Sequence, residues 1–558
     1  MLRSFAKGFS RSRVSLAFSA SLAMLSTTGV ARAGEPWADA DPGKPPERTA
    51  FGDYGVRPGA EYRANWLYVN PISLNTANDR RASWIEHRVR LDGTIDYQDK
   101  VKLVLSTDVL DGVMWGDNGT FTSDPASISG TNVGTKNPNV ATPCVGYRKG
   151  DPLQASSYGY VLCEAPLFKF RRAYSEITTP VGVIRIGRQA VNVGMGVQNS
   201  DGDGRTNRFG FARTGNYTDR ILFATKPLEA LKPPEQRDRT ADRGMVFAIG
   251  YDHVVTDAPR LFSDDVHQIF TAIRYLKPEF SGGSDALLSV FYSYRWDGQY
   301  NTRINTPGVR AYARFGSLAA GFDAVANLGK TQEIAKAYAL LTNDPVVDQT
   351  IRQLGARAVV RYDRPTWTAY LEGDFASGDG DPSNRSPLTQ FVFAEDTNVG
   401  LLMFKHALGF QSARAAAAGV ETLRRLGAVT YPAEALNTRG AFTNAVAIFP
   451  QVDVRPHRTI LVRAGVLAAW AAAPLNDALA TLKNRDGVEV KDDLTNFAGG
   501  KAARYYGTEI DGRFQWRYAE HFIFDLEGAY LMPGAALQNQ DGRAVNSVLV
   551  QGRTTVFF

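Results

Sequence analysis

The feature that most limits the fold is an alternation of apolar and polar side chains, recurring in short segments along most of the chain and clearest at its end. From Asn546 to Phe558 the sequence reads NSVLVQGRTTVFF. Side chains on a strand repeat every two residues. Val548, Val550, Gly552, Thr554, Val556 and Phe558 therefore share one face, and Leu549, Gln551, Arg553, Thr555 and Phe557 the more polar other face. Upstream, Thr508, Ile510, Gly512, Phe514 and Trp516 oppose Glu509, Asp511, Arg513, Gln515 and Arg517, and Phe522, Phe524, Leu526 and Tyr530 oppose Asp525 and Glu527. Earlier still, Ile85, His87, Val89 and Leu91 oppose Glu86, Arg88 and Arg90. Val101, Leu103, Leu105 and Val109 oppose Lys100, Lys102, Ser106 and Asp108. Val309, Ala311, Ala313 and Phe315 oppose Arg310, Tyr312 and Arg314. A soluble sandwich alternates too, but recurrence in segments of roughly 10 residues along nearly a whole chain is the signature of a closed transmembrane barrel.

The connections sharpen this reading. Short ones fall near 97–99, 178–181, 278–284, 316–317, 363–366, 454–458 and 518–521, and long ones near 111–165, 191–216, 328–353, 377–442, 472–503 and 533–545. Short turns on one side and long loops on the other predict an all-β, antiparallel outer-membrane barrel of about 18 strands, with the short turns periplasmic. One connection, 228–242, is long on the short side and reads as a periplasmic flap or a miscount. Gln332 to Leu341 and Ser412 to Leu426 have helical composition and either constrict the pore or form external loop helices.

Other features bound the remainder. No run of 18 apolar residues follows the N-terminal segment, which argues against helical spans. Arg3, Lys7, Arg11 and Arg13, then the apolar stretch 14–30 and Ala31-Arg32-Ala33, read as a signal peptide over residues 1–33. Residues 34–58, rich in Pro and charge, read as a periplasmic lead-in, leaving 59–558 for the barrel. Cys144 and Cys163 are expected to form one disulfide in a loop of an exported protein. A net charge of +6 without any basic run gives no nucleic-acid signal. The terminal Phe558 resembles the end of the closing strand of bacterial outer-membrane barrels, where it serves the barrel-assembly machinery.

In a barrel the inward faces carry function, because outward positions meet lipid. The candidate pore-lining set is Arg88, Arg90, Lys100, Lys102, Arg171, Arg185, Arg188, Arg310, Arg314, Arg357, Arg361, Glu372, Glu509, Asp511, Arg513 and Arg517. Inward cations attract anions, and opposed charges on neighbouring strands brace the wall. The set is read as serving both ends. Asp201 with Asp203, and Asp379 with Asp381, lie at turn glycines and offer oxygen ligands for calcium, although turn chemistry alone explains Asp-Gly. The six histidines have no metal-ligand spacing, and no G-x-S-x-G occurs, so no catalytic residue is assigned and the chain is read as a non-enzyme without a resident cofactor.

Three stretches resemble one family. TPVGVIRIGRQ over 179–189 leads into Gly194 and later YTDRILF over 217–223; EGDFASGDGD covers 372–381; and GTEID over 507–511 precedes LMPG over 531–534. They are similar, in order, to the alginate-export family of outer-membrane porins. The resemblance implies an 18-stranded barrel with an Arg-rich lumen passing an anionic exopolysaccharide, with Arg185 and Arg188 as pore arginines and Glu372 and Glu509 as wall carboxylates. The 111–165 and 377–442 segments depart from that family's compact pattern. The expected function is a bacterial outer-membrane porin for passive passage of small anionic or sugar solutes. An exporter of an anionic exopolysaccharide, and a closed structural or adhesive barrel acting through its loops, are the alternatives. Its expected partners are outer-membrane lipid, the assembly machinery and the solute.

Overall fold

The structure is a computed structural model that describes residues 47–74, 82–116, 168–191, 194–203, 207–212, 215–240, 243–256, 266–298, 300–336, 345–381, 386–394, 397–412, 440–477 and 494–558. The expected leader, Cys144, Cys163 and most of 412–426 lie outside these residues. A short strand, β1 (Thr49–Phe51), pairs only with the start of β2 (Tyr54–Asn70). Next come β3 (Ala82–Tyr97), β4 (Val101–Gly116), β5 (Phe168–Thr178), β6 (Val183–Ala190), β7 (Tyr217–Thr225) and β8 (Gly244–Thr256). The wall continues with β9 (His267–Phe280), β10 (Gly283–Trp296), β11 (Arg303–Phe315), β12 (Leu318–Thr331), β13 (Gln349–Asp363) and β14 (Trp367–Ala376). It ends with β15 (Ala445–His457), β16 (Ile460–Ala471), β17 (Tyr505–Tyr518), β18 (Phe522–Pro533) and β19 (Ser547–Phe557).

Each strand from β2 onward pairs antiparallel with its sequence neighbour, and β19 pairs with β2, from Val548 opposite Asn70 to Phe557 opposite Glu61. At the seam Ala60 and Phe558 exchange both backbone hydrogen bonds, at 3.0 and 2.8 Å. The result is a closed antiparallel barrel of 18 strands, so the sheet presents no free edge of unpaired N–H and C=O groups to the lipid. The wall begins at Tyr54, ahead of the start expected at 59.

Alternation sorts the two faces as the sequence requires. Leu105, Ile186, Ile221, Leu371, Val466 and Val548 are exposed on the outer face, while Ser106, Arg185, Arg220, Glu372, Arg463 and Gln551 are buried inside. Aromatic side chains border the apolar outer band at both ends: Tyr54, Tyr97, Trp367 and Tyr518 near the short turns, and Tyr251, Trp470, Tyr505 and Tyr530 near the long loops. The exceptional connection between β7 and β8 stays at the short-turn end as a folded excursion. It contains a helical turn, Pro227–Ala230, and Arg237 donates to the carbonyls of Ala230, Lys232 and Pro180. The strand parity therefore holds.

The lumen is not an open tube. Described parts of two connections at the long-loop end turn inward: 194–203 and 207–212, between β6 and β7, and 386–394 and 397–412, between β14 and β15. The second brings in Phe391, Phe393, Leu401, Leu402, Met403, Phe404 and Phe410, all nearly or fully buried. They pack on inward wall residues Leu67, Trp84, Leu467, Tyr506, Leu531 and Leu549. Phe442 meets Phe393 at a tilt and Phe404 edge to face, with ring centroids 4.8 Å apart in each pair. Each such side chain contributes on the order of 1.5–3 kcal/mol of burial, so the barrel carries a hydrophobic core inside its wall. The helix that ends this packing, Met403–Leu408 running on to 412, precedes most of the 412–426 segment. Of the other expected helix, 332–341, residues 333–336 are helical.

Candidate functional site

Loop backbone brought inside a barrel must find hydrogen-bond partners, because its peptide groups have left water. The wall supplies them through charged side chains. Around 207–212, the carbonyl of Arg208 accepts from Arg463 and, at 3.0 Å, from Arg513. The Gly210 carbonyl accepts from Arg553 at 3.0 Å and the Ala212 carbonyl from Arg63 at 3.2 Å. The Gly210 N–H donates to Glu527 at 3.0 Å. Arg208 itself reaches the wall, donating to Gln451 at 2.5 Å and Asp453 at 2.7 Å, with its guanidinium 3.2 Å from the Tyr370 ring centre. A guanidinium has donors enough to hold a wall carboxylate and a loop carbonyl together. Arg463 does so with Asp453 at 2.7 Å, and Arg513 and Arg553 share Asp525.

The same loop is tied at two further points. Asp203 receives Arg90 at 2.7 Å, Arg171 at 3.0 Å and Arg172 at 2.9 Å. Two successive arginines face inward because the β4–β5 register shifts between Ser106 and Thr107, a bulge that sets both on one side. At Met195 the N–H donates to Asp323 at 2.8 Å, and the carbonyl accepts from Arg357 at 3.0 Å. Gly194, at φ 77°, precedes it, and a Cβ there would lie 1.8 Å from the Asp323 carboxylate.

Glu509 anchors the second inward connection. Its carboxylate accepts the N–H groups of Leu401, Leu402 and Met403 at 2.7, 2.9 and 2.5 Å, at the start of the helix over 403–412. An anion at a helix N-terminus satisfies donors that the helix itself leaves unpaired. Asp511 lies next along the same inner row and is buried.

Between β7 and β11 the lumen is different. A cavity of about 110 Å³ opens there, lined by Arg220, Arg274 and Arg310, by Gln198, Asn199, Gln268, Ser289 and Ser293, and by Phe270, Phe291, Val246 and Ala248. The register places Arg274 opposite Ser289 and Ser289 opposite Arg310, so two guanidinium groups face the cavity with one small hydroxyl side chain between them. Arg220 is held by Asp252 at 2.6 and 2.8 Å. On the packed side, the space beside Arg63, Glu86, Arg88 and Phe211 amounts to only about 20 Å³.

The candidates from the sequence therefore sort by position. Arg310 faces the cavity. Arg90, Arg171, Arg357, Glu509 and Arg513 hold the inward connections, and Glu372 supports them through Gln451 at 3.1 Å and Arg357 at 3.3 Å. Arg88 pairs with Glu61, and Lys102 and Arg185 share Glu176. Near the short turns, Arg314 and Arg361 share Asp363 and Arg517 donates to Gln515. Two expectations are corrected. Lys100 lies in the turn before β4, bonded to Gln98. Arg188 faces outward: it lies three residues from the inward Arg185, and its partner Asp219, at 2.8 Å, shares the outer row with exposed Ile221. The parity rule also marks as missed Arg63, Arg220, Arg274, Arg463 and Arg553, all on inward strand positions. Arg208, missed too, lies in a loop, where no parity applies.

The acidic pairs serve local structure. Asp201 and Asp379 each accept the N–H two residues on, at 2.9 and 3.0 Å, while Asp203 is occupied by three arginines. Burial pushes the Asp379 carboxyl above its ordinary value. Among the described residues no three His, Cys, Asp or Glu side chains cluster as metal ligands.

The sequence profile of the alginate export family matches residues 168–551, most of the barrel from β5 to β19. The chain belongs to the alginate export family. This alginate-export barrel is a bacterial outer-membrane protein, its short turns periplasmic and its long loops extracellular. No curated protein sequence matches it. Among solved structures it is similar to Pseudomonas aeruginosa OpdK with vanillate, at 9% identity over 90% of this chain and 98% of that one, with a TM-score of 0.47. It is also similar to Pseudomonas aeruginosa OccK2 (OpdF) in complex with glucuronate, at 9% identity, 90% and 98% coverage and TM-score 0.46. Acinetobacter baumannii OccAB1 follows at 10% identity, 90% and 96% coverage and TM-score 0.47.

Proposed function

We propose that the barrel is a passive channel for small anionic solutes, and that solute passes along the β7–β11 side of the lumen, by Arg274 and Arg310. The observation that carries this is the contrast within one lumen. On the packed side inward guanidinium groups hold loop carbonyls and leave only about 20 Å³ beside Arg63 and Arg88, whereas between β7 and β11 Arg220, Arg274 and Arg310 line a cavity of about 110 Å³. In a low-dielectric constriction such groups lower the entry barrier for an anion and raise it for a cation. The solute moves down its gradient, and the inward connections set the width of the passage.

Planar-bilayer recordings of the refolded protein in a salt gradient test this. Arg274→Glu with Arg310→Glu is expected to move the reversal potential from anion toward cation preference, with barrel folding verified by heat-modifiable gel mobility. An unchanged reversal potential in the folded double variant would remove the β7–β11 route. Membership of the alginate export family favours a second reading, export of an anionic polysaccharide. It requires the packed connections to leave the lumen, so adding a uronate polymer would block or open the channel where monomeric uronate does not.

A further inference from the structure

The outer face of the barrel carries an arrangement that transport through the lumen does not use. At the extracellular end, outward positions on adjacent strands bring together Trp296 of β10, Arg303 of β11 and Lys330 of β12 in direct register. Arg352 of β13 lies one pair lower, opposite Leu328, which puts it diagonal to Lys330 at roughly 7–8 Å. Arg303 and Arg352 are exposed and make no ion pair among the described residues. Lys330 pairs with Asp348 at 2.5 Å. Two positive charges are thus left facing outward in one patch. Beneath it the same wall is apolar and exposed, with Val290, Phe322, Leu328 and Leu354. Tyr294 stacks on Trp296 beside it, with centroids 5.6 Å apart.

The rim on β14 to β18 is unlike this. On β14 to β18 the corresponding outward strand positions are Phe375, Val446, Trp470, Tyr505 and Met532, none of them charged. The nearest cation, Arg504, lies outside the strands and donates to the Ala472 carbonyl.

Cations at the level of the headgroups, above an apolar wall and beside an aromatic pair, complement a molecule with anionic oxygens at one end and hydrocarbon below. We infer that the β10–β13 rim is a docking site for a phosphorylated lipid of the outer leaflet, its phosphate held by Arg303, Lys330 and Arg352 and its acyl chains lying along Leu328 and Leu354. The extracellular position of the patch assigns the lipid to the outer rather than the periplasmic leaflet.

Native mass spectrometry of the detergent-purified barrel tests this, with bisphosphorylated lipid A and its dephosphorylated counterpart as probes. The wild type is expected to retain the bisphosphorylated lipid at least tenfold better. The triple variant Arg303→Gln, Lys330→Gln, Arg352→Gln is expected to lose that preference, while Arg504→Gln keeps it. Equal retention of both lipids by the wild type, or an unaltered preference in the triple variant, overturns the inference. Should the triple variant fail to fold by gel mobility, Arg303→Gln and Arg352→Gln singly each have to reduce the preference about threefold, and no reduction in either overturns it equally. These side chains face away from the lumen, so single-channel conductance is expected to remain at the wild-type level throughout.

Discussion

The two sides of the lumen use the same side chains for different ends. Across β15–β19 and β2, arginines meet loop backbone: Arg63, Arg463, Arg513 and Arg553 each donate to a carbonyl of the 208–212 segment. Across β7–β11, Arg274 and Arg310 meet a cavity. An inward guanidinium can brace loop backbone as well as line a cavity, so counting arginines in a barrel sequence cannot by itself measure anion selectivity.

The largest test of this contrast is at Glu509. Replacing it with Ala strips three buried N–H groups of their acceptor, at a cost of roughly 1–3 kcal/mol for each group left unpaired. Glu509→Ala is expected to lower the temperature at which the compact gel band is lost and to raise single-channel conductance as the 403–412 helix loosens. A variant with unaltered conductance would mean that the packed connection does not limit the passage. A smaller effect separates the two sides directly. Arg553→Gln removes a clamp shared by Asp525 and Gly210 and is expected to cost about 2 kcal/mol, more than Arg310→Gln at the cavity. Thermal gel-shift profiles of the two compare them, and equal losses would erase the distinction between brace and cavity lining.

The smallest effect is expected in the loop between β12 and β13, on the border between the two sides. Asp348 receives Lys330, Asn301 and Gln332, which hold its carboxyl down at about 2 against an ordinary 3.8. A depressed carboxylate contributes its stabilisation above the unfolded value and loses it as pH falls through the folded one. Acidification from pH 7 to pH 5 therefore leaves this contact intact. Conductance and the thermal profile of Asp348→Asn are expected to track the wild type across that range, and a divergence would show the loop to be coupled to the passage.

Strand parity made most of this wall readable from the residues. Glu509, Asp511, Arg513 and Arg517 alternate with Ile510, Phe514 and Trp516, and burial against lipid admits only one orientation. Parity also exposes the misplacement of Arg188, since residues three apart on a regular strand face opposite ways. The inward connections were less legible, for a physical reason. What the wall arginines hold is peptide carbonyl, which every residue possesses, so RFGFA over 208–212 carries no mark of being clamped. The role of Glu509 was hidden in the same way, because its partners are three main-chain N–H groups.

The clamp on 208–212 also orders events in time. Its donors Arg463, Arg513 and Arg553 lie some 255 to 343 residues further along the chain, and the last belongs to the strand that zips the barrel shut. Contacts so distant in sequence form late, after the intervening chain has been organised. The 207–212 segment therefore gains its last clamp, from Arg553, only when β19 joins the wall, and narrowing of the lumen is completed together with closure of the barrel.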